Sequence, residues 1–181
     1  LSRLQQVKTE VEKHLADYRL DLMSQTLYEF VWHDYCDWYL EISKPLLEND
    51  KTKQGCEATL LKVLSETLVL LHPIIPFITE EIFEQSQKLQ SNSTGKLISQ
   101  PFPEPNKDLL NTEAEAEIDW LKEFILGIRK IRGEMNISPK KPLPCFVKSY
   151  SSKDQSYIDN NKVMLFALAK LDTVDLLSQD E

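Results

Sequence analysis

Five cations gather in one short stretch of this sequence: Arg129, Lys130, Arg132, Lys140 and Lys141, against the single acid Glu134 between residues 128 and 141. Lys and Arg at that density neutralise phosphates, and such contacts give an affinity that falls steeply with salt. A second group lies far upstream, where Tyr28, Phe30, Trp32, Tyr35, Trp38 and Tyr39 put six rings into twelve residues. On an α-helix that spacing covers nearly the whole circumference, so the rings cannot all face one core. Trp38 falls on the apolar stripe and is assigned to the core. Tyr28, Trp32 and Tyr39 fall on its flanks, free to stack on unpaired bases or to pack half-buried against another domain. The basic stretch also has a purely structural use, since cations complement the C-terminal end of a helix dipole.

Other chemistry finds little support. Ser93-Thr94-Gly95-Lys96 ends like a phosphate loop, but the earlier glycine is missing and Leu97 stands where Ser or Thr would hold magnesium. Neither G-x-S-x-G nor H-E-x-x-H occurs. His33 and Cys36 have the spacing of two helical metal ligands, yet no second pair follows. Cys36, Cys56 and Cys145 are odd in number, far apart and in no C-x-x-C pair, which suits free thiols in a reducing compartment. Ser138-Pro139-Lys140-Lys141 resembles a minor-groove DNA motif, but one copy in a chain of net charge −8 does not argue for DNA. The reading is therefore of binding rather than catalysis, with no metal and no cofactor in this stretch.

The elements that must position these groups are mostly helical. The chain has 181 residues, 41% of them hydrophobic and 28% charged, with only four glycines, a balance that favours helices over a loop-rich or β-barrel protein. No apolar run reaches the roughly 18 residues that a membrane span needs, and no secretory signal pattern opens the chain, so a cytoplasmic protein is expected. The first residue is Leu1 rather than Met, and the sequence opens in mid-helix pattern, which suggests a piece of a longer polypeptide.

A first helix is expected over residues 1–16, with Asp17 as N-cap of a long second one whose apolar residues recur at Leu20, Met23, Leu27, Val31, Tyr35, Trp38, Ile42 and Leu46. A third helix runs to His72, where Pro73 and Pro76 force a break and restart. Pro76 suits the first turn of the new helix, and Glu80 and Glu81 complement its dipole. Ile74, Ile75, Phe77 and Ile78 are too apolar for an exposed loop, so this corner is expected to plug into the core. Residues 89–110 read as a long irregular connection, and 111–135 as a last bundle helix opened by a Thr112/Glu115 capping box. A strand at 143–149, a helix at 154–170 and a strand at 173–177 follow. The expected fold is mainly α: a helical bundle over residues 1–137 with a small α/β appendage over 138–181.

The run from Leu27 to Glu41, Leu-Tyr-Glu-Phe-Val-Trp-His-Asp-Tyr-Cys-Asp-Trp-Tyr-Leu-Glu, followed by Lys44-Pro45, resembles the anticodon-binding domain of the class I valyl-tRNA synthetases. Cys36 to Glu41 fits the valine enzymes better than those for isoleucine or leucine, whereas the proline corner at 71–81 is shared by all three. The run from Ile131 to Pro139, with Pro142-Leu143, again looks like the valine enzymes. The resemblance implies a bundle that receives the anticodon stem-loop of valine tRNA. It also implies that ATP and magnesium are handled by a separate catalytic domain, with an editing domain beside it, neither of which is in this sequence. Arg129, Lys130, Arg132, Lys140, Lys141, Trp32, Tyr28 and Tyr39 are the RNA-binding candidates. The alternative is a helical scaffold for protein interaction.

Overall fold

A computed structural model describes residues 1–90 and 95–177. Ser93 and Thr94, weighed above as the end of a phosphate loop, lie outside the described residues. The chain divides into two compact units, Leu1–Asn111 and Thr112–Glu181. That division falls well before the expected 137/138 boundary, because the long helix that begins at Thr112 packs against the α/β segment.

In the first unit α1 spans Ser2–Ala16 and α2 Leu20–Glu29. A π-helical stretch, Phe30–Tyr39, continues α2 without a break into α3, Leu40–Leu47. Helix α4 covers Asp50–Leu71 and α5 Pro76–Leu89. Leu4, Val7 and Val11 of α1 meet Met23, Leu27 and Phe30 of the second helix and Val63 and Leu70 of α4 in one buried cluster. A smaller cluster joins Leu68, Phe83 and Leu97.

The connection from α1 to α2 differs from the expected Asp17 cap. Asp17 ends α1, Tyr18 takes a left-handed φ of 54°, and Arg19 is the N-cap. Tyr18 N–H donates to Leu15 O and Arg19 N–H to His14 O, the paired bonds of a Schellman closure, here with a tyrosine where glycine is usual. Asp21 does sit in the first turn of α2, where it forms a two-pronged pair with Arg19 at 2.9 and 2.7 Å.

The π-helical stretch corrects the placement of Trp38. Bonds from i+5 to i, closed by Leu40 N–H to Tyr35 O, widen the turn, so a stripe extrapolated at steps of three and four drifts off the core. Phe30 is buried and Tyr35 packs beneath it, while Trp38 is only half-buried.

The proline corner is corrected too. Ile74, Ile75 and Ile78 are exposed and Phe77 is 90% exposed. The inward positions are taken instead by Leu70, Thr79 and Phe83. Thr79 Oγ1 lies within hydrogen-bond distance of the Ile75 and Pro76 carbonyls (2.9 and 3.1 Å) and of His72 Nδ1 (2.9 Å). Pro76 is in the first turn of α5 as expected, but Glu80 and Glu81 lie beyond that turn. Glu80 accepts the Leu97 N–H at 3.0 Å and anchors the following connection.

In the second unit α6 spans Thr112–Glu134, β1 Leu143–Val147, α7 Ser152–Ala169 and β2 Leu171–Leu176. The two strands pair in parallel, which requires the crossover that α7 supplies. Ser151 and Asp154 form a reciprocal capping box at the start of α7, and Trp120 Nε1 donates to Asp154 Oδ1 at 2.8 Å. Trp120 also lies against Phe124 and Tyr157, with ring centroids 5.1 and 5.7 Å apart, so a ring contact joins α6 to α7, in each of which aliphatic side chains are buried: Leu121 and Ile125 in α6, Ile158 and Leu165 in α7.

Candidate nucleic-acid interface

The six rings of the aromatic run separate by burial. Tyr28 and Trp32, four residues apart across the join between α2 and the π-helical stretch, remain 62% and 53% exposed. Their planes lie within 1° of parallel with centroids 6.4 Å apart. Two parallel exposed rings offer flat apolar faces to any planar group, and base stacking on such faces is indifferent to sequence. Tyr39 is different. It is half-buried, and burial, followed by the neighbouring Cys56, pushes its hydroxyl above the usual tyrosine range despite a hydrogen bond with Thr59. Tyr35, whose hydroxyl donates to Leu60 O at 3.4 Å, is pushed up to about 12 by burial and by Tyr39 and Cys36. Tyr35 and Tyr39 therefore serve the packing, leaving Tyr28 and Trp32 as the accessible pair. His33, also exposed, is held 3.5 Å from Asp37 one turn on.

The cations belong to the second unit, and their most informative member is the one that does not reach solvent. Arg132 is only 5% exposed. Its Nη1 donates to Ser138 O (3.1 Å) and Lys141 O (2.9 Å), and its Nη2 to Lys170 O (2.7 Å). A guanidinium presents rigidly forked donors, so one side chain ties the segment after α6 to the end of α7. Around it the backbone reverses at Asn136, in a left-handed φ of 52°, with Ile137 N–H returning to Arg132 O and Asn136 N–H to Gly133 O. Lys141 N–H closes a turn onto Ser138 O.

This clamp brings Lys140 and Lys141 to the same end of the unit as Lys170, all three exposed. Arg129 joins them by donating to Leu168 O at 3.3 Å, and Lys130 lies exposed beside it. The five sequence-selected cations thus divide into a structural Arg132 and four at the surface. Lys170 was not legible in sequence, because it is 29 residues from Lys141 and joins the group through Arg132 and the Leu143 N–H, which also donates to its carbonyl. Among the described residues no group of three or more His, Cys, Asp or Glu could hold a metal ion, and no helix is long and apolar enough to cross a membrane.

Residues 1–148 match the family model described as the anticodon-binding domain of tRNA ligase. Over its whole length the chain is 42% identical to proteins named valine–tRNA ligase from Legionella pneumophila strains Lens and Paris. It spans 20% of the length of these relatives. With the match covering most of the chain, this protein belongs to the anticodon-binding domain family of tRNA ligases.

Proposed function

We propose that this chain is the part of a valine–tRNA ligase that holds the anticodon stem-loop of valine tRNA, in the cytoplasm. The observation that carries the reading is the exposed parallel pair Tyr28 and Trp32 on a chain of this family. An anticodon loop is single-stranded, and such loops are recognised by stacking and base-edge contacts while basic groups hold the backbone. In this reading Tyr28 and Trp32 stack on loop bases, and Arg129, Lys130, Lys140, Lys141 and Lys170 neutralise phosphates. Arg132 acts by gathering them. Valine activation with ATP and magnesium, and the editing of mischarged tRNA, belong to other parts of the ligase polypeptide. Neither DNA nor a membrane is a partner.

A titration of valine tRNA followed by tryptophan fluorescence tests the reading. Binding is expected to weaken steeply with salt, and Trp32→Ala is expected to cost about 1–3 kcal/mol. Unchanged affinity in Trp32→Ala removes the stacking role.

A further inference from the structure

The first unit exposes apolar side chains besides Tyr28 and Trp32. Lys8 of α1 pairs with Glu66 of α4, and short turns make α1 antiparallel to the α2–α3 rod and the rod antiparallel to α4. Helices α1 and α4 therefore run side by side in the same direction. The turn after α1 and the proline corner after α4 lie at one end. That end exposes Tyr18 (92%) and Leu20 from the turn, and Ile74, Ile75, Phe77 (90%) and Ile78 from the corner.

Both segments are held rigidly. The turn is fixed by its Schellman bonds and the Arg19–Asp21 pair, the corner by two prolines and by His72 bound to the buried Thr79. Rings and branched aliphatic side chains presented on fixed backbone form a surface that water does not favour, and such patches mark interaction sites.

We infer that this end of the first unit docks on a protein surface, apolar with a cationic rim, supplied by the ligase polypeptide outside the present chain. The inference rests on the reading that the chain is part of such a ligase. Two observations select the occupant. With Arg19 and Asp21 cancelling as an ion pair, residues 12–21 and 72–81 carry the carboxylates Glu12, Asp17, Glu80 and Glu81 against Lys13 alone. Phosphates are repelled by that rim, whereas a basic-rimmed protein surface is attracted. The chain also matches only 20% of the length of its relatives, so four-fifths of such a polypeptide is available to cover it.

Hydroxyl-radical footprinting read by mass spectrometry tests this without tRNA, comparing the 181-residue chain with a ligase polypeptide that contains it. Tyr18 and Phe77 are expected to react about tenfold more slowly in the ligase, as rings at the core of an interface lose nearly all contact with water. Tyr28 and Trp32 should keep their rates, and Phe77→Glu in the ligase should restore fast labelling of Tyr18. Equal rates in the two samples overturn the inference. So does slow labelling already present in the 181-residue chain, whether from a second copy at rising concentration or from a surface covered within the chain, and so does protection that appears only when tRNA is added. Protection without tRNA, in a chain that binds no tRNA, would leave the docking standing and remove the proposed function.

Discussion

Replacing Arg132 by methionine distinguishes a structural arginine from a phosphate ligand. Its three bonds to the Ser138, Lys141 and Lys170 carbonyls are 2.7 to 3.1 Å long and charge-assisted. Such bonds contribute about 1.5–3 kcal/mol each when broken, but water can replace the donor at the exposed Ser138 and Lys141. Counting one to two bonds as not replaced gives a loss of about 3 kcal/mol, or roughly a hundredfold in the opening equilibrium of this end. Native-state hydrogen exchange reads it at the Ile137 amide, bonded to Arg132 O, and the Leu143 amide, bonded to Lys170 O. Both should exchange faster in Arg132→Met, and tRNA affinity should fall with them. Lys140→Ala and Lys141→Ala should lower affinity, and its salt dependence, while leaving exchange unchanged. If Arg132→Met loses affinity with unaltered exchange, the residue touches phosphate directly and the clamp argument is refuted.

Tyr18→Gly should raise stability by up to about 1 kcal/mol in urea unfolding, because the left-handed φ of 54° strains a residue with a Cβ. Lys8 is 4% exposed and bound to Glu66, Gln5 Oε1 and Glu104 O, so Lys8→Met alone should destabilise the first unit by about 3–5 kcal/mol, measured by the same method. Pairing it with Glu66→Leu should recover much of that loss. Asp154 has its carboxyl held below the usual range by the Ser151 hydroxyl and amide and by Trp120. A depressed carboxyl stabilises the folded state above its unfolded pKa, and that contribution is lost as pH falls through the folded value. Trp120 fluorescence should therefore report loosening of the α7 cap only on the acid side, and Asp154→Asn should flatten that profile. Loosening on the alkaline side instead would contradict the assignment.

Helix positions were legible because apolar periodicity and proline punctuation are local. The bounds of α1 and α6 and the end of α4 fall within a residue or two of expectation. Trp38 was misplaced because a π-helical turn changes the period without any composition signal. The corner was misplaced because apolarity says that a side chain avoids water, not which partner removes it from water. The exposure of Tyr28 and Trp32 was legible from their position on the flank of the stripe. Arg132 was not, since neighbours in sequence give no sign of which cation turns inward, and Lys170 depends on a long-range contact.

Recognition of the anticodon is tested most directly by titrating the 181-residue chain at low salt with valine tRNA and with the same transcript carrying another amino acid's anticodon. The first transcript should bind more tightly, and the difference should be lost in Trp32→Ala. Equal affinity for both transcripts would contradict it.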